Sequence, residues 1–360
     1  MLEIALVFAH VTNRTLVLAP KLYLNLIAAG LGVEDFYNIQ DLRKAIKVLS
    51  AHQFLDQIGI NYESFRDFVH YREFLRANAV NPKFEAFNEV LAIPSISLCE
   101  SSNPVDYPNF DTFAAGKTRR ELTQQEVNAR ILHLRMDYPG GYRFFGLRYG
   151  FFYFSNPSWQ KSYSDLIRKH FHYNDFLFDI AAELISSVVR EHGEFNSMHI
   201  RRGDFSVAYQ YTQLSAEEMV QNVLPLLQSN NASTLLISSD ETEDSFFLPF
   251  KAHFHVIRSR DLTQGVPIQP HYLGLLDQLL CSAGEVFIGT ELSTFSAHIT
   301  RLRFSLDAGM APDKGFYLTT RKYSGNATLD ALETNASWMN DGRPLWPHYN
   351  FFREFFDFLK

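Results

Sequence analysis

Short apolar runs alternate with longer amphipathic segments through the second half of the chain. The segments with the length and setting of buried strands lie at 195–201, 234–238, 254–257 and 285–288. The segments between and beside them carry apolar residues at helical spacing and lie at 173–190, 215–228, 271–282 and 293–303. This alternation predicts an α/β fold in which a parallel, doubly wound sheet has helices on both faces.

The first half of the chain has a less regular pattern. Leu2, Leu6 and Ala9 fall at helical spacing, and the apolar run at 15–20 follows them, so we expect a helix and then a buried strand. Residues 21–88 combine aromatic and charged positions at helical spacing, which predicts short helices and no strand. The aromatic and glycine-rich segment 140–154 predicts a strand or hairpin.

Local signals mark one helix start and the division of the chain. Ser215 is followed by Glu218 and an apolar run, which predicts a capping box at the start of a helix. We expect an N-terminal Rossmann-like domain at 1–165, a C-terminal one at 166–345 and an aromatic docking helix at 346–360.

Composition narrows the class of protein. A chain of 360 residues with 46% hydrophobic side chains can bury two cores of ordinary size. Its formal net charge of −7 disfavours a nucleic-acid partner, which would attract a positive surface. No apolar run approaches the roughly 20 residues of a membrane span, and no secretory signal is visible at the N-terminus. Two cysteines, Cys99 and Cys281, allow one bridge or two buried thiols, of which we favour the thiols.

The sequence HIRRGDF, residues 199–205, places two arginines where an apolar strand ends. In open α/β sheets, ligands bind outside the carboxyl ends of the strands. An arginine there holds phosphate oxygens through two parallel hydrogen bonds, and a nearby carboxylate orients the guanidinium. Strand alternation separates Arg201 from Arg202, and we expect Arg201 to bind the anion with Asp204 orienting it. The alternative is a surface ion pair that closes a turn.

A second signal is VFIGTELSTFSAHITRLR, residues 286–303, in which a buried strand leads through hydroxyl residues into a helix. Backbone N–H groups and hydroxyls at a helix N-terminus suit phosphate oxygens. We therefore expect Ser293, Thr294 and Ser296 to face a diphosphate. The alternative is ordinary helix capping by Ser293 or Thr294.

Carboxylates complete the set of candidate residues. Asp240 ends a predicted strand in the sequence SSDE, where it suits a guanine edge, a sugar hydroxyl or a helix cap. Asp277 lies within a predicted helix and suits a base or ribose, unless it is simply solvated. No Asp-x-Asp, P-loop or zinc-ligand spacing occurs, so we expect no metal and no bound cofactor.

These three motifs, in this order and spacing, resemble the GDP-fucose protein O-fucosyltransferases and the related α-1,6-fucosyltransferases. The resemblance implies two Rossmann-like domains facing a cleft, an architecture called GT-B. It also implies that Arg201 neutralises the β-phosphate, that His199 and Asp204 line the pocket, and that Ser293, Thr294 and Phe295 hold phosphate and base. Arg202, Asp240, Asp277 and Ser296 are further donor-binding candidates.

The activity that the resemblance implies is metal-independent transfer of fucose from GDP-fucose, with inversion, to a Ser/Thr hydroxyl of a protein or to a glycan, in the endoplasmic reticulum or Golgi lumen. The family's Gly- and Asn-rich loop is missing, because the chain starts inside the helix that follows it, and no residue is assigned as the base. Two alternatives stay open: an inactive nucleotide-sugar or glycan-binding member or fragment, and a transferase that uses another nucleotide-deoxysugar.

Overall fold

A computed structural model describes residues 2–11, 13–18, 31–57, 157–291, 293–306 and 317–326. The chain divides into two compact units, and the division in sequence falls between Asn174 and Asp175. The predicted hairpin at 140–154, the docking helix at 346–360 and Cys99 lie outside the described residues. In the parts of the chain that are described, no helix is long and apolar enough to cross a bilayer.

The first unit opens with the predicted helix and strand. Within its described residues the helices are α1 Leu2–Val11, α2 Val33–Phe36, α3 Ile39–Ala45, α4 Ala51–Gln57 and α5 Pro157–His170. Its strands are β1 Leu16–Leu18 and β2 Val48–Ser50, which pair in parallel. The expectation that 21–88 holds no strand is therefore wrong, because β2 has three residues and is too short for periodicity to reveal.

Aromatic packing extends the first unit beyond the predicted boundary at residue 165. Tyr37 forms an antiparallel bridge with Tyr173, and its ring stacks on Phe171 with centroids 4.4 Å apart. The side chain of Asn174 donates hydrogen bonds to the backbone of Glu34 and Asp35. These contacts hold the segment after α5 against the first unit.

The second unit has the strand and helix alternation that the sequence predicts. Its strands are β3 Phe195–Ile200, β4 Thr234–Ser239, β5 His255–Arg258, β6 Phe287–Gly289 and β7 Tyr317–Leu318. Its helices are α6 Asp175–His192, α7 Phe205–Ala208, α8 Ala216–Leu227, α9 Leu248–Lys251, α10 Ser259–Leu262, α11 Leu273–Ser282 and α12 Thr294–Leu306. Single turns of 3-10 helix lie at 210–212, 244–247 and 270–272. The α/β class is confirmed.

The capping box predicted at the start of α8 is present. Ser215 Oγ accepts from Glu218 N at 3.2 Å, and Ser215 N donates to Glu218 Oε2 at 2.8 Å. Two backbone donors at the helix N-terminus are thereby satisfied, which sets where the helix begins.

Both faces of the sheet are covered by helices. Met198 on β3 belongs to one apolar cluster with Met219 and Val223 of α8. The neighbouring Ser197 points to the opposite face, where its hydroxyl donates to the carbonyl of Cys281 in α11 at 2.6 Å. The doubly wound arrangement predicted from the sequence is therefore confirmed.

The strand order places a topological switch point in the middle of the sheet. All five strands are parallel, in the order β5-β4-β3-β6-β7. The chain moves outward from β3 through β4 to β5 and then returns to add β6 on the other side of β3. At such a point the connections leave in opposite directions and open a crevice at the carboxyl ends of the two strands. The ends of β3 and β6 therefore define the candidate site.

Candidate functional site at the switch point of the second sheet

Arg201 follows the last residue of β3 and is held by two carboxylates. Its Nη2 lies 2.8 Å from Asp204 Oδ1, and its Nη1 lies 2.9 Å from Asp240 Oδ2. The Asp204 side chain is 68% exposed, whereas that of Asp240 is 26% exposed. The guanidinium has five N–H donors, so it keeps donors for a ligand while its direction is set from two sides.

Asp240 bridges the ends of β3 and β4 with both of its oxygens. Besides the ion pair with Arg201, its Oδ1 accepts from the backbone N of Arg202 at 2.7 Å. A Cβ added at Gly203 would lie 2.6 Å from Asp240 Oδ2, so the glycine makes this close approach possible. Asp240 therefore helps to orient the arginine, a role that the sequence motif alone attributed to Asp204.

Arg202 has different surroundings. Its Nε lies 2.8 Å from Glu241 Oε2, its Nη1 donates to the Leu214 carbonyl at 3.1 Å, and its guanidinium lies over the Phe246 ring at 4.5 Å. A depression of about 350 Å³ beside it is also bordered by Glu217. This acidic setting makes Arg202 a poor anion ligand compared with Arg201.

His199 is a buried, neutral imidazole on β3. Its Nδ1 lies 2.7 Å from Ser296 Oγ, and its ring stacks on Phe295 with centroids 4.5 Å apart. Burial, and after it the positive charge of Arg201, lowers the pKa of His199 from 6.5 to about 3. Ser296 Oγ accepts from Thr290 N and also has a proton that it can donate to Nδ1. Donation from Ser296 Oγ to Nδ1 corresponds to the tautomer that carries its proton on Nε2, and donation from Nδ1 to Ser296 Oγ corresponds to the other tautomer.

The N-terminus of α12 lies next to this histidine, and it differs in part from the expectation. Ser293 is buried and caps the helix, since its Oγ accepts from Ser296 N at 3.3 Å. Ser296 is fully buried and bonds to His199 and Thr290, so its hydroxyl does not face a diphosphate as predicted. Thr294 is exposed and Phe295 is half-buried, which leaves these two at the surface of the first turn.

The helix can approach the strand this closely because residue 289 is glycine. A Cβ at Gly289 would lie 2.8 Å from Ser296 Cβ, closer than real Cβ contacts. The first turn of α12, with backbone N–H groups that have no partner within the helix, is therefore held against the carboxyl end of β6.

Asp277 lies on α11 and faces the end of β4. Its Oδ2 accepts from Ser238 Oγ at 2.8 Å. Burial raises the pKa of Asp277, against hydrogen bonds from Ser238 and Ser259 that lower it. Ser238 pairs with His199 in the sheet, so both side chains lie on the α11 face. Asp277 is thus bonded within the protein and sits one strand away from Arg201.

Cys281 follows Asp277 by one turn and is a free, buried thiol. Its Sγ lies 3.8 Å from the carbonyl of Met198, and burial raises its pKa well above the usual value. A protonated thiol in this position packs like a small apolar side chain and is a poor nucleophile.

Thr290 is a site residue that the motifs did not single out. Its hydroxyl accepts from Arg201 N and donates to the His199 carbonyl, both at 2.9 Å. The available signal was its position directly after a buried apolar run, which places its side chain at the end of the strand. Sequence reasoning assigned the hydroxyls further along, at Ser293 to Ser296, to the ligand instead.

The assembled groups suit an anion with several oxygens. A guanidinium, a neutral imidazole and the first turn of a helix meet at one sheet edge, and all three are hydrogen-bond donors. Among the described residues, no group of three or more His, Cys, Asp or Glu side chains is placed to hold a metal ion.

Comparison with known proteins identifies relatives of this chain. It is 28% identical over 150 residues to GDP-fucose protein O-fucosyltransferase 2 of Drosophila melanogaster, covering 39% of this chain and 29% of that protein. It is 22% identical over 162 residues to GDP-fucose protein O-fucosyltransferase 2 of Plasmodium berghei (strain Anka), covering 43% of this chain and 32% of that protein. The matched part thus spans about three tenths of the length of these curated relatives.

Among solved structures, the chain is similar to a crystal structure of POFUT1 in complex with GDP-fucose. The two are 13% identical with a TM-score of 0.46, over 88% of this chain and 92% of that one. The family model of GDP-fucose protein O-fucosyltransferases matches residues 2–305. This match covers most of the sequence and includes every residue of the site described above, and the chain therefore belongs to the GDP-fucose protein O-fucosyltransferase family.

Proposed function

We propose that this chain transfers fucose from GDP-fucose to a hydroxyl of a protein or glycan acceptor, with the donor diphosphate bound by Arg201. The observation that carries the proposal is the position of Arg201 at the switch point of a parallel sheet, where α/β proteins bind their ligands. Family membership supports GDP-fucose as the donor. The endoplasmic reticulum or Golgi lumen is the proposed location.

In the proposed reaction, the acceptor oxygen forms a bond to the anomeric carbon as the bond from that carbon to the β-phosphate oxygen breaks. The hydroxyl proton goes to a base, and GDP leaves with one more negative charge. Attack from the face opposite the leaving group inverts the anomeric centre. A guanidinium placed beforehand at the β-phosphate stabilises the charge that develops there, which is usually a large contribution to catalysis.

Residues around Arg201 have supporting roles in this proposal. Asp240 is the less exposed of the two carboxylates that hold the guanidinium, whereas the more exposed Asp204 is the partner that a phosphate displaces with least cost. In the tautomer that accepts from Ser296 at Nδ1, His199 presents an Nε2 proton, and the amides of Thr294 and Phe295 lie in the first turn of α12, where backbone donors suit phosphate oxygens. Metal-independent transfer is part of the proposal because the sequence has no Asp-x-Asp pair, the usual carboxylate pair for a metal-bound nucleotide diphosphate.

A transfer assay tests the proposal. Purified chain is incubated with GDP-fucose labelled in the sugar and with folded acceptor domains, in the presence of EDTA, and the linkage is examined by NMR. We expect labelled acceptor with an inverted anomeric centre and no transfer by Arg201→Ala. Donor binding without transfer to any acceptor would favour the alternative of a nucleotide-sugar-binding member, and transfer only from other nucleotide-deoxysugars would favour the second alternative.

A further inference from the structure

The hydrogen-bonded ladder between β3 and β6 stops before the site residues. The two strands pair at Ser197 with Phe287 and at Met198 with Ile288, and β6 ends at Gly289. Continued by two places, the same register would put Thr290 opposite Ile200. Arg201 therefore lies just beyond the last place at which backbone pairing with β6 can hold it.

Regular pairing at this place would use the backbone of Thr290. In a parallel ladder, a residue donates its N–H to the carbonyl of the residue that precedes its partner on the neighbouring strand. Its own carbonyl accepts from the N–H of the residue that follows that partner. Here those positions are the His199 carbonyl and the Arg201 N–H. The hydroxyl of Thr290 makes both bonds instead, donating to the His199 carbonyl and accepting from Arg201 N, each at 2.9 Å.

The backbone of Thr290 is thereby released to start the helix that follows. Its N–H donates to Ser296 Oγ at 2.9 Å, and its carbonyl accepts from Ser293 N at 3.2 Å. Ser296 Oγ in turn holds His199 Nδ1. One buried threonine thus joins the end of β3 to the first turn of α12, and no polar group of the interrupted ladder is left unpaired.

We propose that Thr290 is a positioning residue for diphosphate binding: its hydroxyl extends the β3 ladder to Arg201 in place of backbone and so sets the direction of the guanidinium. The inference rests on the proposed function, because it assigns the ligand of Arg201 to a nucleoside diphosphate. Thr290 acts through Arg201 and His199 and has no contact with the ligand in this account.

The chemistry restricts what can replace the threonine. The position needs one atom that both donates and accepts, which a hydroxyl provides and a methyl group does not. Thr290→Val keeps the shape and leaves the buried His199 carbonyl and the partly buried Arg201 N–H without their partner. Thr290→Ser keeps the hydroxyl and loses only the methyl group that restricts its rotamer.

Calorimetry with GDP and GMP separates positioning from a general structural role. We expect Thr290→Val to weaken GDP binding about tenfold, which corresponds to roughly 1.4 kcal/mol, and to weaken GMP binding much less, because Arg201 contacts the β-phosphate that GMP lacks. Thr290→Ser should retain the wild-type ratio of GDP to GMP affinity. An unchanged ratio in Thr290→Val would overturn the proposal.

Hydrogen exchange provides a readout that needs no ligand. If the wild-type chain fails to bind GDP, the proposed function fails, and the role of Thr290 is then decided by exchange of the peptide that covers residues 196–205. Thr290→Val should exchange faster at this peptide than wild type, while Thr290→Ser and the peptides of β4 keep the wild-type rate. Equal exchange in all three proteins would contradict the claim that the Thr290 hydroxyl takes the place of backbone hydrogen bonds at the end of β3.

Discussion

Arg201 is held from two sides, and its two carboxylate partners are not equivalent. Asp204 lies three residues away and its side chain is 68% exposed, whereas the Asp240 side chain is 26% exposed and also accepts from Arg202 N. An exposed ion pair contributes little to orientation because water and salt screen it, while a less exposed carboxylate that makes two bonds holds its partner more firmly.

The difference predicts an unequal effect of two matched substitutions. Asp240→Asn should weaken GDP binding several-fold, because an amide at residue 240 bonds more weakly to Arg201 Nη1 than the carboxylate does and so holds the guanidinium less firmly. Asp204→Asn should leave GDP affinity unchanged or improve it, because it removes a carboxylate that competes with phosphate. Calorimetry on both variants checks this, and a larger loss in Asp204→Asn would show that the orienting role belongs to Asp204.

His199 should make the stability of the protein depend on pH. Its pKa falls from 6.5 to about 3 in the folded chain, so the unfolded chain binds more protons between these values. Stability therefore rises with pH across this window, is complete above pH 6.5, and is lost as pH falls toward 3.

His199→Gln should remove this dependence. Between pH 6.5 and pH 5, wild type should lose about 1.6 kcal/mol more unfolding free energy than the variant, since the unfolded histidine is half protonated at pH 6.5 and each further pH unit contributes up to about 1.4 kcal/mol. Urea unfolding at the two pH values measures the difference. Parallel losses in the two proteins would show that the imidazole is not held neutral.

The sequence motifs identify Arg201 and its near partner Asp204, but they assign Asp240 to a ligand or a helix cap and do not single out Thr290. Arg201 and Asp204 lie in one short motif. Arg201 is identified by its position at the end of a predicted strand, and Asp204 by its spacing of three residues from Arg201. Asp240 and Thr290 act on Arg201 from other strands, and their roles depend on where each strand ends to within one residue. Such ends are the least certain part of a pattern-based prediction.

At the element scale, Gly289 sets how closely α12 packs against β6. Gly289→Ala would bring a methyl group within 2.8 Å of Ser296 Cβ, so the helix start must shift. We expect loss of GDP binding together with a lower Tm by differential scanning fluorimetry.

The matched control for this substitution is Gly274→Ala on α11. Its Cβ would meet only Phe295 Cε2, at 3.7 Å, which is ordinary contact. Alanine also favours a helix over glycine by roughly 0.5–1 kcal/mol, so this variant should be as stable as wild type or more. If Gly289→Ala and Gly274→Ala change GDP binding and Tm equally, close packing at Gly289 is not what holds the site.

Element length decided which elements the sequence revealed. α6, α8, α11 and α12 are long enough for periodicity, and β3 and β4 are six-residue strands, so all were predicted with small shifts at their ends. β1 and β6 have only three residues each and were predicted because each lies in a short apolar run. β2 has three residues and β7 has two, too few for any period, and their strand pairing depends on the hydrogen bonds of a parallel neighbour.

At the scale of the whole molecule, the decisive feature is the strand order of the second sheet. Alternating strands and helices predict a parallel sheet, but they do not determine on which side of β3 the returning strand β6 is added. Its addition beside β3 brings HIRRGDF next to the start of α12, although about 90 residues separate them. Two motifs that were separate in the sequence thereby become one donor-rich edge.

The central claim is that this edge binds the diphosphate of a guanine nucleotide through Arg201. Titration calorimetry of the purified chain with GDP, in the presence of EDTA, tests it most directly. The account predicts micromolar binding that Arg201→Ala weakens about a hundredfold or more, given two charged hydrogen bonds of roughly 1.5–3 kcal/mol each. Arg202→Ala should weaken it far less, because its side chain is already paired with Glu241. Binding that survives Arg201→Ala, or a folded wild-type chain that does not bind GDP, would contradict the account.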